Sequence, residues 1–454
     1  MAWRFPAALL LTLAVAAHGR GQTCTLSEPV KTGDCFHYTI DMTLTGEMRF
    51  QKESGNVPVK LTASAAHVFP ERILGLTGNL VDKAARSYDT ARVTIDRGND
   101  RSECVLRPAR KLVVAQRHKD VQMAYSPAGA LYRNELELIG GHFDTLVLTA
   151  LLPGKEVKVG ETWKLPNLVA QAVCGLEGMT ENKLEAKLDK VAGDVATISI
   201  TGTCAGVEAG ALVKTTVDAT GTFDAKAHHL TGLTCKQKCE RDQGPVSPAS
   251  TMTVTVTVAR KAVPQPDELT DVALVAVPQG YAPPGPMTNL EFRDPKDRFA
   301  LLHTRDWYLT AVTGEHTVLR LMDRGDYVAQ LTVTPWTAAK KGEHLAPEQF
   351  KSAMNSTSGW RPEKELQASE VPSDGKYVYR LSEVGQLDGV QVLQNFYLIA
   401  APTGEQVVLT FTLAPKQADK LGARDLSMAA SIEVPAASAD RPAASAKADE
   451  PAKK

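Results

Sequence analysis

The segment Asn395–Pro415 reads NFYLIAAPTGEQVVLTFTLAP, with an apolar run on either side of a Pro-Thr-Gly-Glu turn. In the second run, Val407, Leu409, Phe411 and Leu413 alternate with smaller or more polar residues. A period of two is typical of a β-strand that has one face in a hydrophobic core. The segment therefore predicts two scaffold strands, and it contains no residue suited to catalysis.

The composition of the whole chain favours a β-rich protein of two or three domains. The chain has 454 residues, of which 43% are hydrophobic and only 6% aromatic. This length exceeds that of one ordinary domain. The net charge of −1 provides no basic field for nucleic acid or an anionic membrane, so nucleic-acid binding is not expected.

The first 21 residues, MAWRFPAALLLTLAVAAHGRG, are typical of a secretory signal peptide. A single Arg4 precedes the apolar run Phe5–Ala17, which is shorter than the roughly 20 residues of a membrane span. We therefore predict a signal peptide over residues 1–22 and a secreted or periplasmic protein without a transmembrane span. A buried N-terminal helix and a lipid anchor on Cys24 are the alternatives.

Cysteine and proline divide the rest of the chain. All seven cysteines precede residue 240, and seven prolines lie between residues 264 and 295. Proline density of this kind disfavours a central strand or helix, apart from one short strand predicted at Val272–Val277. The predicted organisation is a β-rich domain (24–263), a linker (264–295), a second domain (296–434) and a disordered tail (435–454).

The two domains have different predicted architectures within an overall α+β class. In the first, amphipathic strands such as Ala211–Asp224 and Thr251–Val258 recur between turns, which indicates a large antiparallel sheet with one covered face. Its few helices are predicted at Asp144–Leu152 and Leu168–Cys174. The second domain is predicted as an antiparallel sheet with helices on one face. Its main elements are strands at Phe299–His303, Trp307–Val312, Thr317–Asp323, Tyr327–Thr334, Leu366–Val371, Tyr377–Val384, Val390–Ala400 and Gln406–Ala414, a helix opening at Pro347, and a last helix over Lys416–Ala430.

The order of elements in the second domain resembles the PsbP-like family, which includes the extrinsic photosystem subunit and DcrB-type envelope lipoproteins. The similarity rests on HTRDWYLT with Trp307, a long hairpin, a helix opening APEQF, three strands and a closing helix. It covers about a third of the chain. The family usually has proline where this chain has Arg305. The phrase LLPGKEVKVGETWKL (151–165) resembles exported β-rich bacterial domains, for which a LolA/LppX-like half-barrel is the expected shape.

The segment AKAHHLTGLTCKQKC brings His228, His229, Cys235 and Cys239 into a short stretch that could bind a metal ion. Neighbouring residues of a strand point to opposite faces, however. In the extended chain the two cysteines would also stand about 13 Å apart. We therefore expect a hairpin without a metal ion, and no cofactor.

Other candidate motifs have structural explanations. His142 and Asp144 could pair as a general base, but a glycine turn followed by an aspartate-capped helix explains both. Arg324-Gly325-Asp326 stands where a hairpin must turn. No nucleophile elbow, HExxH motif or phosphate-binding glycine loop occurs in the sequence, so an enzyme is not expected.

A disulfide is expected between Cys174 and Cys204. If residues 182–204 form a hairpin that turns at 192–194, Cys204 returns to the neighbourhood of residue 182, close to Cys174. Such a bond would stabilise the fold by about 3–4 kcal/mol on the chain-entropy model.

Three hypotheses for function remain open at this point. The first is a non-enzymatic envelope protein that binds or assembles with a protein partner. The docking surface would be the semi-polar strand face of Val408, Thr410 and Thr412, with Phe350, Met354 and Leu421 opposite it beside Phe411. The second is a carrier of a lipid or other apolar ligand in the first domain. The third is a hydrolase whose site is assembled from distant residues.

Overall fold

The computed structural model describes residues 22–52, 55–98, 100–118, 121–140, 144–280 and 282–435. The predicted signal peptide, apart from Gln22, therefore lies outside the described residues, as do His142 and the predicted tail from residue 436. No helix in the described ranges is long and apolar enough to span a membrane.

Strands are the main elements. They are β1 (Thr23–Leu26), β2 (Cys35–Lys52), β3 (Gly55–Thr77), β4 (Leu80–Ser87), β5 (Thr90–Arg97), β6 (Asp100–Val105), β7 (Leu112–His118), β8 (Val121–Tyr125), β9 (Leu131–Tyr132), β10 (Lys155–Lys158), β11 (Thr162–Lys164), β12 (Gly178–Asn182), β13 (Glu185–Ala192), β14 (Val195–Glu208), β15 (Ala211–Asp224), β16 (His229–Arg241), β17 (Ala249–Ala262), β18 (Leu290–Arg293), β19 (Ala300–His303), β20 (Trp307–Val312), β21 (Thr317–Asp323), β22 (Asp326–Trp336), β23 (Trp360–Glu370), β24 (Tyr377–Leu387), β25 (Val390–Ala400) and β26 (Gln406–Leu413).

Helices are few and short. They are α1 (Arg133–Gly140), α2 (Asn167–Cys174), α3 (Gly285–Thr288), α4 (Pro347–Asn355), α5 (Ala418–Leu421) and α6 (Arg424–Ser431), with 3-10 helices at Pro108–Arg110, Thr145–Leu151, Asp267–Leu269 and Pro415–Gln417. The predicted antiparallel, strand-dominated α+β class is confirmed. Strands β15, β20, β21 and β25 have the predicted bounds.

The N-terminal half is built on an open fourteen-stranded sheet whose main path runs from β11 to β8. Apolar residues of alternate positions, such as Val254, Val256 and Val258 of β17, are buried on one face. Helices α1 and α2 and the 3-10 helix at 145–151 pack on that face and complete a single core. The alternation in the sequence therefore separates a covered face from a polar one.

The segment predicted as a linker packs against the N-terminal sheet. Leu269, Leu274 and Val277 are buried in a cluster with Tyr125, on the side opposite the main core. The strand predicted at Val272–Val277 is wrong, because residues 271–276 form turns. In this stretch the turns bury some apolar side chains and expose others. A strand would do the same, so the pattern of apolar residues did not distinguish the two structures.

The C-terminal half has a seven-stranded sheet in the order β20-β21-β22-β26-β25-β24-β23. Phe411 packs with Leu421 of α5 and with α6 on one face. Phe350 and Met354 of α4 pack with Val408 on the other. The prediction that all helices cover one face is therefore wrong, because α4 returns across the opposite side of the sheet.

A small third sheet joins the two halves. Strand β18 pairs in parallel with β9 of the N-terminal half and antiparallel with β19 of the C-terminal half. The Arg107 guanidinium donates to Glu135 at 2.7 Å and to Glu291 at 3.3 Å, and stacks over Tyr132 at 3.6 Å. These contacts fix the halves against each other, and a cleft lies at their junction.

Candidate functional site

A cleft of about 860 Å³ lies where the N-terminal sheet meets strand β20. Charged side chains from both halves line it. They are Arg97, Arg117, Arg133, Glu137, Asp144, Glu177, Glu208, Arg241 and Arg305. Apolar groups such as Leu176 and Leu309 complete the wall. The volume falls within the range typical of small-ligand sites, which often form between domains.

Two arginines hold the junction together at the floor of the cleft. Arg305 donates to the carbonyl oxygens of Ala124 at 2.6 Å and Thr288 at 2.8 Å. Arg133, the first residue of α1, donates to the carbonyl oxygens of Arg305 and Trp307, both at 2.8 Å. Burial, with the positive charge of Arg133 beside it, lowers the pKa of Arg305 to about 10. Backbone carbonyls therefore occupy these guanidinium groups.

Two further arginines of the cleft are paired with carboxylates. Arg117 contacts the buried Asp144, and Arg241, the last residue of β16, lies 3.4 Å from the Glu208 carboxylate. Burial raises the pKa of Asp144, although Arg117 opposes this shift. These ion pairs engage both guanidinium groups, whereas Arg97, the fifth arginine of the lining, lies 3.5 Å from the Ser102 hydroxyl.

Among the described residues, Glu137 and Glu177 are the carboxylates of the cleft that form no ion pair with an arginine. Glu137 follows Arg133 by one turn of α1, and within the described part of the chain no group bonds to its carboxylate. Glu177 accepts from the Ala209 amide at 3.0 Å and lies 3.5 Å from the Tyr308 hydroxyl. Removal from bulk water, with the nearby charge of Glu208, raises the pKa of both carboxyls.

The wall that carries Glu177 depends on a turn after α2. Gly175 has a φ of 66°, a left-handed conformation that glycine adopts without strain, and it ends the helix. The Leu176 amide then donates to the Gln171 carbonyl oxygen at 3.1 Å, and the Glu177 amide to Val207 at 2.9 Å. The carboxylate is thereby directed to the cleft by backbone bonds.

The described lining residues include no histidine and no cysteine. Hydrolysis by a serine or cysteine nucleophile with a histidine base has no candidate among them. Paired carboxylates remain as groups that could exchange protons or bind a cation. Across the described residues, no cluster of three or more His, Cys, Asp or Glu side chains is placed to hold a metal ion.

The predicted hairpin after α2 is confirmed, and it brings the two predicted cysteines together. Strands β13 and β14 pair from Ala192 and Val195, and Cys204 lies opposite Asn182 as expected. The thiols of Cys174 and Cys204 are close enough to shift each other's pKa, upward for Cys174 and downward for Cys204. All seven cysteines are described, and each carries a free thiol. A disulfide between Cys174 and Cys204 stays a prediction.

The predicted docking face is partly covered. Val408 is buried beneath α4 with Phe350, so it cannot contact a partner. Thr410 and Thr412 are half-buried, and Thr412 accepts from the Gln394 amide at 3.1 Å. The N-terminal half docks at β18 to β22 instead of this face, where the Arg320 guanidinium donates to the Pro245 carbonyl oxygen at 2.6 Å.

The other sequence motifs take structural positions. His228 lies in a turn with a φ of 53°, and His229 begins β16, six residues before Cys235 and thus about 20 Å away along the strand. Asp144 caps the following 3-10 helix by accepting from the Leu146 amide at 2.9 Å. Arg324 and Gly325 form the turn between β21 and β22, as the sequence predicts.

Sequence reasoning did not identify the cleft, because its residues come from eight separated parts of the chain. One signal was present: Arg305 stands where the PsbP-like pattern usually has proline. Arg305, which precedes β20 by two residues, donates to the Ala124 carbonyl oxygen of β8 and so links the two strands. A proline there has no side-chain donor to make this contact.

No known protein family and no curated protein matches the chain. Several solved structures are similar to parts of it. Cyanobacterial PsbP (CyanoP) from Synechocystis sp. PCC 6803 is 17% identical, with 32% of this chain and 92% of that chain covered and a TM-score of 0.27. The Ran-binding protein Mog1p from Saccharomyces cerevisiae is 15% identical, with 32% and 95% covered and a TM-score of 0.25.

Lipovitellin, from a study of its lipid–protein interactions, is 8% identical, with 53% of this chain and 26% of that chain covered and a TM-score of 0.31. The first of the three bears the name of the family that the C-terminal pattern resembles. At these scores, however, none of them carries an argument about fold or function.

Proposed function

We propose that the chain is an exported, non-enzymatic binding protein of the cell envelope whose ligand occupies the cleft between its two halves. The signal-like N-terminus supports export to a secreted or periplasmic location. The observation that carries the binding role is the charged cleft of about 860 Å³, lined by side chains from both halves. A ligand in it would contact both sides of the junction at once.

Two carboxylates of the cleft, Glu137 and Glu177, favour a ligand with a cationic group, such as an amine or guanidinium. Arg133 and Arg305 donate to backbone carbonyl oxygens. The pKa values of Glu137 and Glu177 are raised because burial and the charge of Glu208 outweigh the attraction of Arg133 for Glu137. A bound cation would stabilise the ionised form of these carboxylates and so offset the rise in their pKa. The basic side chains of a protein partner would fit the same requirement.

Titration calorimetry with trilysine, and with triglutamate as the opposite charge, tests this proposal. We expect trilysine to bind, and the double variant Glu137→Gln/Glu177→Gln to weaken binding by about tenfold or more, or about 1.4 kcal/mol. The matched control is Glu185→Gln/Glu365→Gln, which removes two exposed carboxylates outside the cleft. Equal affinity in both double variants, or preference for triglutamate, would overturn the proposal.

A hydrolase is the second candidate, and one observation favours it. Two carboxyls with raised pKa, Glu137 and Glu177, line the same cleft, as a general acid and a second carboxylate do in glycosidases. Incubation with chromogenic glycosides distinguishes the two proposals. Turnover by the native chain that Glu137→Gln or Glu177→Gln abolishes would establish the enzyme and remove the non-enzymatic role.

An apolar-ligand carrier requires a large cavity on the covered face of the N-terminal sheet. Helix α1 and the 3-10 helix at 145–151 fill that face, and the cavity between Ile40, His67 and Leu138 measures only about 20 Å³. This is room for one water. Lipid that co-purifies with the chain in equimolar amounts would revive this alternative.

A further inference from the structure

The two predicted cysteines lie where helix α2 meets the sheet. Cys174 is the last residue of α2 and Cys204 is in β14 opposite Asn182, and both thiols lie in the main core, close enough to shift each other's pKa. The Cys204 thiol also lies 3.8 Å from the Asn182 side-chain oxygen. The Asn182 amide nitrogen in turn donates to Asn167, the first residue of α2, at 3.1 Å. Both ends of the helix are thus held from this strand pair.

The helix end is also a wall of the cleft. Gln171, Leu176 and Glu177 line the cleft on either side of Cys174. The hydrogen bonds of the turn, the bond from the Gln237 side-chain amide to the Val173 carbonyl oxygen at 2.8 Å, and packing in the main core hold this end of the helix on the sheet without a covalent link. A covalent bond at this point would therefore restrict the same segment that presents the Glu177 carboxylate.

The local chemistry favours bond formation between these two thiols. The neighbouring Cys174 thiol lowers the pKa of the Cys204 thiol and makes Cys204 the better thiolate. Cys235 and Cys239 of β16 are also near enough to Cys174 to raise the pKa of its thiol. Cys239, however, is two strands from Cys204 and accepts from the Thr215 hydroxyl at 3.7 Å.

We infer that Cys174 and Cys204 form a reversible disulfide that fixes the Gln171–Glu177 wall of the cleft. As control of a ligand site, this rests on the proposed binding function. The oxidant is an external disulfide, such as a disulfide-carrying oxidoreductase or oxidised glutathione. The Cys204 thiolate attacks one of its sulfurs, and Cys174 then displaces the second thiol. The two cysteines lose two protons and two electrons, and the oxidant leaves as two thiols.

Redox titration of the wild-type chain with oxidised glutathione and dithiothreitol requires no substitution. Peptide mapping of unreduced protein should identify one bond, Cys174 to Cys204. Hydrogen exchange of residues 175–182 should slow by about tenfold on oxidation. Cys204→Ala should remove this response, whereas Cys239→Ala, the matched control in the same buried group, should retain it.

The outcomes separate the inference from the proposed function. Bond formation with slower exchange, but no trilysine binding in either state, supports the inference and overturns the cation-binding function. Bond formation with unchanged exchange at residues 175–182 overturns the inference. A bond from Cys174 to Cys235 or Cys239 in the native chain also overturns it.

Discussion

The N-terminal sheet buries one face in its main core, whereas the C-terminal sheet buries both. In β17 of the first sheet, Val256 is fully buried and Thr257 is exposed. In β26 of the second, Phe411 and Val408 are both buried, in clusters on opposite faces. The difference shows that alternating apolar and polar residues indicate which face of a strand is more apolar. They do not indicate how many layers cover the strand.

The helices account for this difference. Most of the N-terminal helical residues lie on one side, in the core of α1, α2 and the 3-10 helix at 145–151. In the C-terminal half, α4 crosses one face while α5 and α6 close the other. We expect substitutions to lower the free energy of unfolding more in the three-layered C-terminal half than in the two-layered N-terminal half. The following measurements test this.

The largest effect is expected at the carboxylate that anchors α6. Asp425 is buried and accepts from Arg380 at 3.0 Å, Asn395 at 2.9 Å and Tyr397 at 2.8 Å. Asp425→Ala should lower the free energy of unfolding by about 3–5 kcal/mol, because it leaves a largely buried guanidinium unpaired. Urea denaturation measures this. The exposed Asp419→Ala is the control, and an equal loss in both would contradict the prediction.

Both faces of β26 should respond to truncation. We expect Phe411→Ala to cost about 3–5 kcal/mol and Val408→Ala about 2 kcal/mol, since each leaves a cavity in its own cluster. Thr410→Lys, on the half-buried part of the second face, should cost about 1 kcal/mol or less. Thermal melts of the three variants check this order. If Val408→Ala melts like the wild type, α4 does not cover this face.

Acid should weaken the joint between the two sheets. Burial lowers the pKa of His303 in β19 to about 4, against about 6.5 in an unfolded chain. Between these values only the unfolded chain binds the proton. Stability is therefore complete above about pH 6.5 and falls by about 3 kcal/mol on acidification to pH 4.

Denaturation midpoints from pH 4 to pH 7 measure this dependence. His303→Asn keeps a donor for the Thr304 carbonyl oxygen, which the ring approaches at 2.8 Å, and should flatten the pH profile. His344→Asn, at an exposed position, should leave it unchanged. A His303 variant with the wild-type slope would assign the acid sensitivity elsewhere.

The smallest effects are expected on the polar face of the N-terminal sheet. Val256→Ala should cost about 2 kcal/mol, whereas Thr257→Lys should stay within about 0.5 kcal/mol. In β26, truncation on either face should lower the free energy of unfolding. In β17, substitutions at two adjacent positions should have very different effects on it. Comparable losses at both positions, measured by urea denaturation, would mean that something covers the polar face.

Local patterns were sufficient for individual elements. The bounds of β15, β20, β21 and β25, the turn at Arg324–Gly325 and the partnering of Cys204 with residue 182 all follow from alternation and turn chemistry. The strand predicted at Val272–Val277 is wrong, because this apolar stretch forms turns that bury Leu274 and Val277, three positions apart, and expose the residues between them. The continuous apolar run of β25, Phe396–Ala400, was a signal of two buried faces that a one-faced interpretation overlooked.

The sequence by itself determined the strand-dominated class, most strand positions and the absence of a local catalytic motif, because these depend on residues close together in the chain. The tertiary structure decided which faces are covered and where the cleft lies. Arg133, Glu177, Glu208 and Arg305 come from separate elements and meet only after β18 joins the two halves. Arg133 lowers the pKa of Arg305, and Glu208 raises the pKa of Glu177, both through space; a distance between remote residues is not encoded in any local pattern.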